Sequence, residues 1–206
     1  MSVSLGIVGA EKRYGSLVVL SGASAEFDVG RTNVLMGPSG AGKTTLLRVL
    51  AGLERLDGGE VLRPSNARLA MTFQEDRLCE NLTATANIRL PHGRLRGREL
   101  EAFLARERAA LEAVGLPVDA RPVRELSGGQ RRRVAILRAA LADADVLFFD
   151  EPLKGMDEKT VCLVMDFILP LLAGKTVLWT THDSSERGFF SDPTMWEVRD
   201  GRVRRV

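Results

Sequence analysis

Gly37-Pro38-Ser39-Gly40-Ala41-Gly42-Lys43-Thr44 decides how this chain is read. The octet fits the pattern G-x-x-x-x-G-K-[ST]. It follows the apolar run Asn33-Val34-Leu35-Met36 and opens a stretch with Leu46, Leu47 and Leu50 at helical spacing, closed by Gly52. A buried strand, a glycine-rich loop and a helix in that order build a phosphate cradle. The glycines let successive backbone N–H groups converge on phosphate oxygens, and the helix N-terminus adds the positive end of its dipole. Lys43 is then expected to reach the β and γ phosphates of a nucleotide, the Thr44 hydroxyl to bind Mg²⁺, and Thr45 to close the loop's binding stretch.

A complementary element lies far along the chain. Val146-Leu147-Phe148-Phe149-Asp150-Glu151-Pro152 is an apolar strand that delivers two carboxylates together at its end. Beside Lys43, Asp150 is expected in the Mg²⁺ shell and Glu151 as the group that polarises an attacking water. Leu126-Ser127-Gly128-Gly129-Gln130 adds a second helix start, with Ser127 as N-cap and Val134, Leu137 and Leu141 along the helix. Its free N–H groups make a second anion site. One γ phosphate does not need two helix N-termini from one chain, so Ser127, Gly128, Gly129 and Gln130 are assigned to a nucleotide held by another subunit.

Short apolar runs alternating with longer helical patterns indicate an α/β domain with a largely parallel sheet. Asn33 to Met36, Leu69 to Phe73, Val146 to Phe149 and Thr176 to Trp179 read as buried strands, each ending where open α/β folds place their sites. Between about Arg77 and Leu126 the texture turns Arg- and Ala-rich, with Leu100, Phe103, Leu104, Leu111 and Val114 at mainly helical spacing, and this reads as an inserted helical lobe. Arg94, Arg96 and Arg98, with Gly93 and Gly97, read as a basic surface loop. Arg131-Arg132-Arg133 reads as a solvated helix face. Leu78, Cys79, Leu82 and Ile88 are expected to line an apolar groove that accepts a short helix from a partner.

The 206 residues suit one domain with a small inserted lobe. With 29 Lys and Arg against 27 Asp and Glu, the net charge of +2 offers no electrostatic case for nucleic acid as ligand. The longest nearly apolar stretch, 161–173, is broken by Asp166 and Pro170 and is shorter than a membrane-spanning helix, and the first residues lack the basic segment of a secretory signal. A cytoplasmic chain with two free thiols, Cys79 and Cys162, is expected.

Taken together these motifs resemble the ATP-binding cassette of the ABC transporter superfamily, over about Leu5 to Val206. The resemblance implies a P-loop NTPase core with a mixed, largely parallel sheet, an N-terminal antiparallel β region and an inserted α-helical subdomain. Residues 1–76 and 143–206 would form the nucleotide-binding core and residues 77–142 the helical subdomain with the signature motif. It also implies an ATPase using ATP and Mg²⁺, with Glu151, His182, Lys43 and Gln74 as catalytic residues. Tyr14 matches the aromatic residue that stacks on adenine, and Gln74 the glutamine that senses Mg²⁺ and the attacking water. His182 matches the histidine that contacts the γ phosphate, and Asp157 the aspartate of the loop crossing the dimer interface. Lys154 and Gly155 stand where a Ser-Ala pair is usual.

The partners so implied are a second, identical subunit in a head-to-tail dimer and separate transmembrane permease chains, which would hold the protein on the inner face of the membrane. Phe73-Gln74-Glu75-Asp76-Arg77-Leu78, with Leu82-Thr83-Ala84, Asn87-Ile88 and the Glu-Pro-Leu-Lys-Gly-Met-Asp run, resembles the nitrate, sulfonate and taurine importer branch. An efflux or lipid-export ATPase, or a soluble ATPase acting on ribosomes, DNA or the division machinery, shares the same chemistry.

Overall fold

The computed structural model describes residues 4–206. They divide into two compact units, one of residues 4–71, 144–151 and 173–206, the other of residues 72–143 and 152–172. The segment 152–172, placed with the nucleotide-binding core on sequence, thus packs in the second unit.

The first unit holds two sheets. Strands β1 (Leu5–Tyr14), β2 (Leu17–Phe27) and β4 (Gly58–Leu62) form a three-stranded antiparallel sheet in the order β2-β1-β4. The larger sheet takes β3 (Thr32–Met36), β5 (Leu69–Thr72), β6 (Val146–Asp150), β7 (Thr176–Thr181), β8 (Thr194–Arg199) and β9 (Arg202–Arg205) in the order β5-β6-β7-β3-β8-β9. Within it β6, β7, β3 and β8 run parallel, and β9 returns antiparallel.

Every residue of β6 and β7 is buried, as expected of central strands covered on both faces, whose sequences run apolar without alternation. The strand from Leu69 differs from its sequence reading. It lies at the sheet edge with Leu69 38% exposed, because β6 alone flanks it in the sheet.

Helix α1 (Lys43–Leu50) packs against β1 and β4 of the small sheet and against β6 and β7 of the large one. It therefore buries more than one face: Leu46, Leu47, Val49 and Leu50 have no exposed surface, each contributing roughly 1.5–3 kcal/mol of burial. Around them the core gathers Leu5, Ile7, Phe27, Leu35, Phe148, Leu178 and Trp196.

The second unit is helical, built from α2 (Ala84–Arg89), α3 (Gly97–Ala113), α4 (Gly128–Ala140) and α5 (Glu158–Leu172). Phe103, Leu111 and Val114 point inward, whereas Leu104 is 38% exposed, so the buried stripe of α3 is narrower than its apolar pattern. Helix α3 also begins at Gly97, which puts Arg98 in its first turn and outside the loop. Leu78 and Ile88, read as lining a partner groove, are buried in this unit's own interior, while Cys79 and Leu82 are exposed. Both cysteines are free thiols. No helix among the described residues is long and apolar enough to cross a membrane.

Candidate functional site

The parallel strands β3, β6 and β7 end side by side: Asp150 lies level with Thr180, and Met36 with Thr181. Chain continuity then places the loop 37–42, the pair Asp150 and Glu151, and His182 at one edge of the sheet. The loop is built for close approach. Gly42 caps α1 with φ +99°, and a Cβ there would lie 2.7 Å from Val19 Cγ1. At Gly37 a Cβ would lie 2.2 Å from the Val198 carbonyl oxygen. No acidic residue occupies the first turn of α1, which leaves its N-terminal end positive. Pro38, Ser39, Gly40 and Ala41 complete the turn, in which the Ala41 N–H donates to the Pro38 carbonyl at 3.2 Å.

Lys43 is 5% exposed and folds back over the loop, its Nζ donating to the Gly37 carbonyl at 2.6 Å and the Pro38 carbonyl at 3.1 Å. The same ammonium stands 3.9 Å from Glu151 Oε1. Thr44 Oγ1 donates to Asp150 Oδ1 at 3.1 Å, and Thr180 Oγ1 donates to the same oxygen at 2.9 Å.

Glu151 is 6% exposed and adopts φ +45°. A left-handed conformation at a non-glycine residue costs of order 1–3 kcal/mol and persists only where its surroundings hold it. Here the Glu151 N–H donates to Thr180 Oγ1 at 3.0 Å and to the Thr180 carbonyl at 3.2 Å. His182 Nδ1 lies 3.6 Å from Glu151 Oε1. Thr180 is the residue that the motif reading missed. Its only signal in the sequence is a hydroxyl near the end of the run 176–181, beside Thr181.

Tyr14 ends β1 as a half-exposed ring, with the Lys12 ammonium 5.1 Å from its centre. Hard oxygen donors suit Mg²⁺, and the Thr44 hydroxyl beside the Asp150 carboxylate is such a pair. Among the described residues no group of three or more His, Cys, Asp or Glu could hold a metal. An ion at Thr44 and Asp150 would need further oxygen donors to complete its shell.

The second unit carries the remaining motif residues. Ser127 is the N-cap of α4 in a reciprocal capping box: the Gln130 N–H donates to Ser127 Oγ at 3.3 Å, and the Ser127 N–H donates to Gln130 Oε1 at 2.9 Å. Gln130 thus shapes the helix start through its side chain. Gln74, Gly128, Gly129, Arg132, Lys154 and Gly155 line a cleft of about 360 Å³. Asp157 accepts from the N–H and hydroxyl of Thr160 at 2.9 and 2.7 Å, and these bonds hold its carboxyl below the usual range.

The arginine run departs from its reading as a solvated face. Arg132 is 7% exposed and turned inward, while the Arg133 guanidinium donates to the Val114 carbonyl at 2.8 Å. Asn87, another residue that the motif reading did not place, is fully buried. It accepts from the Cys79 N–H and donates to the carbonyls of Cys79, Leu82 and Thr83, fastening the loop that precedes α2.

Residues 20–154 match the family model described as ABC transporter. The chain is 36% identical to the sn-glycerol-3-phosphate import ATP-binding protein UgpC of Ralstonia nicotianae, an alignment covering 98% of this chain and 58% of that protein. Identity to UgpC of Burkholderia mallei is 39%, over 89% of this chain and 54% of the relative. The chain thus spans a little over half the length of these curated relatives.

Two solved structures superpose along almost the whole chain. The dimeric bacterial ABC transporter cassette MJ0796 gives a TM-score of 0.83 at 28% identity, and its post-hydrolysis state bound to ADP and Pi gives 0.82 at 26%. Each superposition covers 98% of this chain and 97% of the other. With the phosphate loop, the paired carboxylates and the capped Ser-Gly-Gly-Gln helix all present, the chain belongs to the ABC transporter family as an ATP-binding cassette domain.

Proposed function

We propose that the chain binds ATP with Mg²⁺ and hydrolyses it as the nucleotide-binding subunit of an importer. In this reading it works as a head-to-tail dimer on the inner face of a membrane, beneath separate membrane-spanning chains. The observation that carries the chemistry is the buried cluster at the sheet edge, where Lys43 Nζ, Thr44 Oγ1, Asp150 and Glu151 converge.

Backbone N–H groups of residues 37–44 and the dipole of α1 bind the phosphates. Lys43 exchanges its loop carbonyls for β and γ phosphate oxygens, and Tyr14 offers a ring face to adenine. Bound at Thr44 and Asp150, Mg²⁺ would supply neutralisation of phosphate charge. Glu151 Oε1 accepts the proton of the attacking water, and His182, 3.6 Å from it, contacts the γ phosphate. Gln74 reports the state of that phosphate and water. Ser127, Gly128, Gly129 and Gln130 face the nucleotide of the partner subunit, and Asp157 belongs to the loop between the two.

The names of the relatives support an importer. The finer placement in the nitrate, sulfonate and taurine branch rests on residues 73–78, 82–84, 87–88 and 151–157, whereas the relatives are named for sn-glycerol-3-phosphate. These cargoes share an oxyanion, which is the substrate class we favour.

ATP binding and phosphate release measured on the chain and on Glu151→Gln test the reading. The variant is expected to bind ATP normally and to turn over about 10² to 10⁴ times more slowly, the range for a lost general base. Equal turnover would remove Glu151 from that role.

A further inference from the structure

From α4 three arginines reach back to residues 73–80. Arg132 Nη1 donates to the carbonyls of Phe73 and Gln74, the latter at 3.3 Å, and lies 3.3 Å from Asp76 Oδ1. Its Nε donates to the Pro152 carbonyl at 3.0 Å. Arg138 donates to the carbonyls of Arg77 and Asp76 at 2.9 and 3.0 Å, and Arg131 pairs with Glu80 Oε1 at 2.9 Å. Between these anchors Arg77 holds φ +45°, with its own guanidinium 4.2 Å from the centre of the Phe73 ring. A planar guanidinium with a fixed fork of donors suits such multiple attachment, and a single ammonium does not.

We infer that Arg132 is a positioning residue: it locks the backbone of Gln74 to the helix that begins at Ser127 and to the residue following Glu151. A displacement of Gln74 is then passed to the Ser127 end of α4 and to the 152–157 segment together. The assignment rests on the hydrolytic reading above, in which Gln74 acts at the chain's own nucleotide and Ser127 at the partner's. Arg132 touches no reacting atom in this scheme, and its effect runs through Gln74. Because the anchor is buried, solvent cannot replace the lost bonds at low cost.

The test uses the full chain with Mg·ATP and compares wild type, Arg132→Gln and Arg132→Lys, each also in a Gln74→Ala background. Arg132→Gln is expected to lower kcat about 10- to 100-fold, the scale of a misplaced catalytic contact, with KM for ATP within about twofold. Backbone amides of residues 73–77 should exchange hydrogen faster than in wild type. Arg132→Lys keeps the charge beside Asp76 but not the fork, so its melting temperature should return toward wild type while kcat recovers only in part. In the Gln74→Ala background, replacing Arg132 should cost little further turnover.

An equal fold-loss in both backgrounds would overturn the inference, as would a kcat that merely follows the folded fraction. Should Arg132→Gln not fold, Arg132→Lys alone decides between these outcomes. A wild-type chain that hydrolyses no ATP refutes the functional reading instead, and that result appears before any variant is compared.

Discussion

The Thr180 hydroxyl is where the geometry of the site is set residue by residue. It donates to Asp150 Oδ1 and accepts from the Glu151 N–H, so one side chain orients the carboxylate assigned to Mg²⁺ and holds the left-handed backbone of the proposed base. Thr180→Val preserves shape and β-branching while deleting both bonds. It is expected to cost about 1–3 kcal/mol in chemical denaturation, the penalty for stranding buried polar partners. Turnover should fall about 10- to 100-fold if Glu151 is displaced by a fraction of an ångström to an ångström. Retained turnover at lowered stability would separate the two roles. The meeting of Lys43, Asp150 and Glu151 was legible because the phosphate-loop motif around Lys43 tips two adjacent acids at a strand end away from their plainer reading as a helix start. Thr180 was not, since a hydroxyl facing two carboxylate-bearing residues and one facing any backbone carbonyl look alike in a linear chain.

At the level of elements, central strands were easy to read and amphipathic helices harder. Strands β6 and β7 are buried on both faces, and an unbroken apolar run has little else to be. On α4 the arginines read as surface because charge is usually solvated, whereas a guanidinium can end deep in the fold when carbonyls meet it. Helix α3 hides a similar exception in Glu107. This carboxylate is 1% exposed on its helix, and burial pushes its pKa above the ordinary value, with Arg89 at 3.8 Å only partly opposing. Its Oε1 has no hydrogen-bond partner among the described residues. A raised folded-state pKa means that folding favours the protonated acid. The stability that this linkage gives is present below the unfolded pKa and is lost as pH rises through the folded one. Glu107→Gln should therefore melt higher than wild type at about pH 8, and the difference should shrink by about pH 4, where wild type is protonated. An equal offset at both pH values would mean that the carboxylate is compensated in another way.

For the whole molecule, the change in texture near Arg77 and its return after residue 142 lie close to the unit boundaries at 72 and 144, whereas the second passage into the helical unit, residues 152–172, left no such signal. Residues 152–172 join the helical unit although they follow β6 and Glu151 directly, because the stripe of Val164, Met165, Ile168 and Leu172 needs a helical partner, and α3 and α4 supply one. The small antiparallel sheet was implied only by family resemblance, since β1 and β2 are too irregular in register to show a clean alternation. The motif residues are shared between the units: Lys43, Thr44, Asp150, Glu151 and His182 in one, and Gln74, Ser127 to Gln130 and Asp157 in the other. A head-to-tail dimer would pair the first set of one chain with Ser127, Gly128 and Gly129 of its partner, completing two composite sites. Lys43→Ala should abolish phosphate release by removing the cation proposed to meet the γ phosphate. Ser127→Arg should do the same by filling the helix start that the partner's nucleotide would meet. Mixed in equal amounts, the two variants form a hetero-dimer in which one composite site carries both lesions and the other carries neither. Random pairing makes about half of all dimers mixed, each with one intact site, so about a quarter of wild-type activity is expected if the sites act independently. Cooperative sites would return less, though still above either variant alone. If mixed dimers form, as seen by differential tagging, and no activity returns, each chain completes its own site and the head-to-tail arrangement is wrong.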